Sequence, residues 1–198
     1  MKRILAINGS YRDDGITDQA IAIMADELRN SGTEIDVIML RDYPIEFCLN
    51  CRECTQSPGE APGNCVQQDD MALLINKIEA ADGFIFASPT NFGSVTALFK
   101  RFMERLMVYG YWPWGEHAPT FRKSKVKTKP AIIVASCAAP SLLGRFLFST
   151  HRQLKYTAKV VGADVAGSLF TGFIGDTPNT RLPTATSVKA RELAKRLI

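Results

Sequence analysis

Two stretches of the chain hold side chains whose types and spacing suit chemistry. The first is Asn8-Gly9-Ser10-Tyr11-Arg12-Asp13-Asp14-Gly15-Ile16-Thr17, between the apolar run Ile4–Ile7 and a helical pattern. A strand that opens through small and hydroxyl residues onto a helix start makes an anion seat, because unpaired N–H groups and the positive end of the helix dipole meet there. Ser10, Arg12 and Thr17 can add side-chain donors, which suits the phosphate of a nucleotide-like cofactor. The second stretch is Cys48, Cys51, Cys54 and Cys65, spaced C-x2-C-x2-C-x10-C. Thiolates at this spacing can wrap a metal cluster through a tight loop, and free thiols are the alternative. A zinc site is disfavoured, since the usual paired C-x2-C arrangement with a longer insert is missing.

The elements that must position these residues follow from apolar periodicity. Short runs at Ile4–Ile7, Ile35–Leu40, Phe84–Ala87, Ile132–Ala135 and, more weakly, Val165–Leu169 lack polar alternation, as strands covered on both faces do. Between them, Ile21/Met24/Ala25/Leu28, Met71/Leu74/Ile75/Ile78, Phe99/Phe102/Met103/Leu106 and Ala190/Leu193/Ala194/Leu197 repeat at helical spacing, and a less regular helix is expected over about Ser141 to Val161. Strict alternation of strands and helices implies right-handed parallel crossovers. The expectation is one α/β domain over residues 1–198, a flavodoxin-like three-layer sandwich with a five-stranded parallel sheet in the order 2-1-3-4-5. Ligands of such sheets sit beyond the carboxyl ends of strands one and three, where the order reverses.

Two further loops fall at that end of the sheet. Ser88-Pro89-Thr90-Asn91-Phe92-Gly93-Ser94 follows strand three, with a helix N-cap at Ser94 as one reading and a pocket for a flat heterocycle as the other. Ser136-Cys137-Ala138 follows strand four, where small residues permit close approach of backbone to a ligand. Neither a Walker A nor a G-x-G-x-x-G sequence is present.

In combination these motifs resemble the NADPH-dependent FMN reductase-like family, which includes the iron–sulfur flavoproteins. The pattern G-S-x-R-x-x-G-x-T, the cysteine loop ending in Gly63-Asn64-Cys65 with Asp69-Asp70-Met71, and Ser88-Pro89-x-x-Phe92-Gly93-Ser94-Val95 with Lys100 carry the likeness over the first two-thirds of the chain. The resemblance implies that Ser10, Arg12, Gly15, Ile16 and Thr17 hold the FMN phosphate. It implies that Pro89, Thr90, Asn91, Phe92 and Gly93 border the isoalloxazine ring, and that Ser136, Cys137 and Ala138 approach its pyrimidine side. Ile16 stands where the family often has Asn, and Thr90-Asn91 where Val-Tyr is common. No catalytic side chain is required, because the flavin carries hydride chemistry from NAD(P)H.

The resemblance implies an NAD(P)H-dependent FMN oxidoreductase acting on a small acceptor: flavin, quinone, a nitro or azo compound, or a metal ion. One alternative is an iron–sulfur flavoprotein electron carrier with a [4Fe–4S] cluster on Cys48, Cys51, Cys54 and Cys65. Another is a non-enzymatic binding module that kept the fold.

The totals of the chain are compatible with this. Its 198 residues, 46% hydrophobic and 22% charged with net charge +4, describe an ordinary globular protein. The balance is too weakly basic to argue for nucleic acid, and no apolar run is long enough for a membrane span or a secretory segment. A cytoplasmic setting is expected, with the cysteines outside disulfides. Tyr109, Tyr111, Trp112 and Trp114 suggest a homodimer or higher homo-oligomer contact, with packing inside the chain as the alternative. Lys123, Lys125, Lys127 and Lys129 alternate, which on an extended segment places them on one side. His117 and His151 stand in no motif.

Overall fold

A computed structural model describes residues 1–125, 129–175, 177 and 179–198. Five principal strands form its sheet: β1 Arg3–Asn8, β2 Glu34–Met39, β3 Gly83–Asn91, β4 Lys129–Ser136 and β5 Ala163–Thr171. They pair in parallel in the order β2-β1-β3-β4-β5. The helices are α1 Ile16–Asn30, α2 Met71–Ala80, α3 Ala97–Arg105, α4 Ser141–Leu147, α5 Thr150–Val160 and α6 Thr184–Ala194. The expected flavodoxin-like topology is therefore the one observed.

The period of two along each strand divides the interior into two cores. Leu5 and Ile7 of β1, Phe84 and Phe86 of β3, and Ile133 of β4 face the layer that holds α2, α3 and α5. Ile4, Ala6, Ile85, Ala87, Ile132 and Val134 face α1 and α6. Each of these side chains is no more than 2% exposed, so β1, β3 and β4 are covered on both sides, and this is why their sequences lack polar alternation.

The helix expected over about Ser141 to Val161 is two helices. α4 ends at Leu147, Phe148 takes an extended conformation, and α5 starts at Thr150. The break occurs where Ser149 turns toward the β3 loop, its N–H and Oγ both donating to the Gly93 carbonyl, at 2.8 Å and 3.0 Å. A tertiary contact thus overrides a continuous helical stretch. Of the alternating lysines, the two at the ends turn to the body of the chain. Arg122–Lys125 is a 3-10 turn, Lys123 pairs with Glu79 at 2.6 Å, and Lys129 Nζ donates to the carbonyls of Glu79 and Ala81. The Lys125 side chain and Lys127 lie outside the described residues. Among the described residues no helix is long and apolar enough to cross a membrane.

One close approach sets the end of the sheet where the motif loops meet. A Cβ placed on Gly9 would lie 2.6 Å from Phe99 Cβ, so the chain leaving β1 rests directly on α3. Gly9→Ala should lower stability by about 1–3 kcal/mol through overpacking, read as a reduced midpoint in urea unfolding.

Candidate functional site

The crevice at the carboxyl ends of β1 and β3 has a volume of about 420 Å³. Its first wall is the start of α1. Gly15 is the N-cap residue, with φ −67° and ψ 166°, and no side chain caps the helix; neither Asp14 nor Thr17 does so. The first-turn N–H groups therefore lack a side-chain acceptor and stand free for an anion. A Cβ on Gly15 would fall 3.4 Å from the Arg12 carbonyl oxygen and 3.6 Å from Ser10 Oγ, inside the turn that forms the seat.

Residues that the motif reading did not single out hold this loop in shape. Asn8, fully buried at the end of β1, accepts from the Ser10 N–H at 2.9 Å and donates to Asp18 Oδ1 at 2.6 Å. Arg41, just beyond β2, donates to the Ser10 carbonyl at 3.0 Å and to Asp13 and Asp18 at 2.6 Å and 3.4 Å. Burial pushes the Asp18 carboxyl above its ordinary value, against the pull of Asn8 and Arg41. The only sequence signal for this network was an Asn closing an otherwise apolar strand.

The other walls are tied to the first. Thr96 caps α3 by accepting from the Phe99 N–H at 3.1 Å, and its Oγ1 donates to the Gly9 carbonyl at 2.7 Å. Ser88 Oγ accepts from the Thr96 N–H at 3.1 Å. The α3 cap is therefore Thr96 and not Ser94. Thr17 Oγ1 and Ser136 Oγ lie 3.2 Å apart and join α1 to the end of β4.

Of the residues expected at the site, Ser10, Arg12, Gly15, Ile16, Thr17, Pro89, Thr90, Asn91 and Ser136 line the crevice. Tyr11, Asp14, Thr96, Ala97, Leu98, Ile174 and Thr180 line it as well. Phe92, Gly93, Cys137 and Ala138 do not. β3 continues to Asn91 and returns through Ser94–Val95 as a hairpin, with Phe92 and Gly93 both at positive φ in its turn and Phe92 fully exposed. Cys137 is buried, with Gly144 of α4 so close that a Cβ there would stand 2.4 Å from its Sγ. Burial pushes that thiol up. Ala138 is exposed beside Gly175.

The cysteine loop is a second, separate construction. The thiol of Cys54 is pushed up to about 11 by burial and by its neighbours Cys65, Cys48 and Cys51. The long x10 spacing closes on itself, because Gly63 returns to Cys54; a Cβ on Gly63 would overlap the Cys54 carbonyl oxygen at 1.8 Å. The Gly63 N–H donates to Val108 O at 2.8 Å. The aromatic segment after α3 clamps the same loop from within the chain. Arg52, in the left-handed region at φ 64°, stacks 3.7 Å from the Trp112 ring centroid and 4.3 Å from that of Trp114. Trp112 and Thr55 exchange backbone and hydroxyl bonds at 2.9 Å and 3.1 Å. Tyr109 is buried and donates to Glu79 at 2.9 Å. Tyr109 is thus held within the chain and Trp112 packs on Arg52, while Trp114 is 64% exposed.

Arg105 ties α3 to the loop. Its guanidinium pairs with Asp69 and donates to Cys65 Sγ at 3.4 Å. Among the described residues no three His, Cys, Asp or Glu side chains converge on a point suited to a single metal ion.

The fold and the crevice define a flavodoxin-like protein whose switch point carries an uncapped helix N-terminus. The sequence profile described as NADPH-dependent FMN reductase matches residues 2–170, and the chain belongs to that family. It is an NAD(P)H-dependent FMN reductase-like oxidoreductase, with FMN as the family's cofactor. It is 32% identical over 176 residues to an iron–sulfur flavoprotein of Archaeoglobus fulgidus, a match covering 88% of this chain and 72% of that one. A second iron–sulfur flavoprotein of the same organism is 34% identical over 103 residues, 52% of this chain and 48% of its own length. An FMN-dependent NADH-azoreductase of Bacillus anthracis, solved in complex with FMN, has the same fold at TM-score 0.72 and 12% identity, with 99% of each chain covered.

The Arg105–Asp69 pair also sets a pH dependence. Burial raises the Asp69 carboxyl, but Arg105 and the N–H groups of Glu46 and Met71 outweigh it, so the value lies below the ordinary one. The pair's contribution is complete above the ordinary carboxylate value and is lost as pH falls through the lowered one. Asp69→Asn should cost about 3 kcal/mol at neutral pH, with the gap to the parent narrowing in acid, as measured by urea unfolding at several pH values.

Proposed function

We propose that the crevice holds FMN with its phosphate at the start of α1, and that the chain passes hydride from NAD(P)H to a small acceptor: free flavin, a quinone, a nitro or azo compound, or a metal ion. The observation that carries this reading is the uncapped α1 N-terminus, opening beside the ends of β1 and β3 with Ser10, Gly15 and Thr17 around it. Bound FMN supplies the hydride chemistry itself. The chain's part is to hold and orient. Ser10 and Thr17 offer hydroxyls to the phosphate, and the α1 backbone offers N–H groups and the dipole. Pro89, Thr90 and Asn91 border the space for the ring, at the end of a strand whose residues 83–88 are buried. The exposed Leu142, Leu143, Phe146 and Leu147 of α4 support a homo-oligomer in which a second copy covers that helix.

A second reading has its own support. The curated relatives described above are iron–sulfur flavoproteins, and the return of Gly63 to Cys54 shortens the spatial gap that the x10 spacing opens. In this reading Cys48, Cys51, Cys54 and Cys65 hold a [4Fe–4S] cluster that passes single electrons onward.

Titration of the anaerobically prepared chain with FMN, followed by NADPH or NADH, separates the readings. The first expects a bound flavin spectrum that bleaches with the nucleotide. The second adds broad absorbance beneath it and iron in the protein. Ser10→Ala combined with Thr17→Ala should weaken FMN binding on the order of 100-fold, since each hydroxyl bond to a charged group contributes about 1.5 kcal/mol or more. Unchanged affinity would remove the phosphate assignment.

A further inference from the structure

Three carboxylates stand around the start of α1, beside the place proposed for a phosphate: Asp13, Asp14 and Asp18. Negative charge near a bound anion opposes its binding, so these groups need an offset. Two of the three face solvent. Asp14 is exposed and pairs at 2.6 Å with an equally exposed Arg181, and Asp13 is exposed as well. Water and salt screen both. Asp18 differs. It is the third residue of α1, its side chain is 9% exposed, and Asn8 Nδ2 donates to its Oδ1 at 2.6 Å. Solvent therefore screens it little. Its cation is Arg41, 15% exposed in its side chain, which arrives from the turn after β2. Arg41 Nη1 donates to Asp18 Oδ2 at 3.4 Å and to the Ser10 carbonyl at 3.0 Å, and Nη2 donates to Asp13 at 2.6 Å. One guanidinium thus answers two of the three carboxylates and fixes the backbone of Ser10, which lines the crevice.

We propose that Arg41 is a positioning residue for the phosphate end of the crevice. It neutralises Asp18 in the first turn of α1 and holds the Ser10 carbonyl, so that a phosphate monoester meets N–H groups and not an unscreened negative charge. The inference rests on the FMN reading above and adds how a helix start that carries a buried carboxylate takes an anion. A role through charge has a signature that a merely structural brace lacks. Loss of the guanidinium is repaired when the Asp18 charge is removed as well, and it is felt by a flavin with a phosphate and not by one without. At the effective dielectric near a protein surface, one uncompensated charge a few side chains away weakens anion binding on the order of tenfold.

The test measures FMN and riboflavin binding by flavin fluorescence at about pH 8, where carboxylates are ionised and a phosphate monoester carries two charges. The parent chain is compared with Arg41→Gln, Arg41→Lys, Asp18→Asn and the double variant Arg41→Gln/Asp18→Asn. The preference for FMN over riboflavin is the readout, and riboflavin binding is the check on folding. The expected result is a preference lowered on the order of tenfold in Arg41→Gln, held near the parent in Arg41→Lys and recovered in the double variant. Asp18→Asn keeps an oxygen for Asn8 Nδ2, so the repair reports charge. A parent-like preference in a folded Arg41→Gln, or a loss that Asp18→Asn does not repair, would overturn the inference while leaving the phosphate reading intact. Should Arg41→Gln fail to fold, Asp18→Asn alone decides: a preference above the parent's supports the role of charge, and one unchanged or lower overturns it. A parent chain that binds FMN no more tightly than riboflavin removes the phosphate reading, and this inference with it.

Discussion

The contact between Gly9 and Phe99 is the constraint on which the rest of the crevice depends. The end of β1 and the start of α3 come from distant parts of the chain, and the site exists because they touch. Gly9 has no side chain to hold them apart, and Thr96 fastens them by donating to the Gly9 carbonyl while capping α3. With that junction fixed, Asn8 can shape the turn from below and Thr17 can meet Ser136 across the opening. Hydroxyls and small residues that read as an anion motif in sequence thus have a mechanical use as well. They let backbone segments approach closely while each buried polar group finds a partner.

The two candidate centres are built on different principles. The crevice is made of unpaired N–H groups and small side chains on rigid elements, so its electrostatics come mainly from the backbone. The cysteine loop has little regular structure and is stabilised from outside by long side chains. Arg52 reaches into the Trp112 and Trp114 segment, Arg105 descends from α3, and Arg122 gathers four carbonyls. Such a loop keeps its shape through charge and stacking, since it offers little apolar surface to bury.

Much of the fold was readable from periodicity, because β1, β3 and β4 are covered on both faces and the helices other than α4 bury one stripe each. The division of α4 from α5 was not, since it arises from Ser149 bonding to Gly93 more than fifty residues earlier, a contact without a local signature. Nine residues of the expected crevice were legible from small and hydroxyl types at the ends of strands. Phe92 and Gly93 were placed at the ring by the family resemblance; in the structure both sit in the hairpin turn at positive φ, outside the crevice lining, with Phe92 fully exposed and Gly93 bonded to Ser149. The network of Asn8, Asp18 and Arg41 was not read, as their partnership joins three parts of the chain and no spacing encodes it. The aromatic run after α3 was open to packing inside the chain or against a second copy; within the chain Trp112 and Trp114 stack on Arg52, a residue that reads in sequence only as filler between two cysteines.

The return of Gly63 onto Cys54 separates distance along the chain from distance in space. Residues 56–62 leave and rejoin the chain at nearly the same place, so they form an excursion whose length does not set the distance between its ends. The excursion is itself held where Gln56 donates to Trp112 and Arg122 donates to Gly59, while its ends stay together at Cys54 and Gly63. The count of residues between Cys54 and Cys65 therefore overstates their separation, and the glycine that ends the detour marks where the chain comes back beside Cys54.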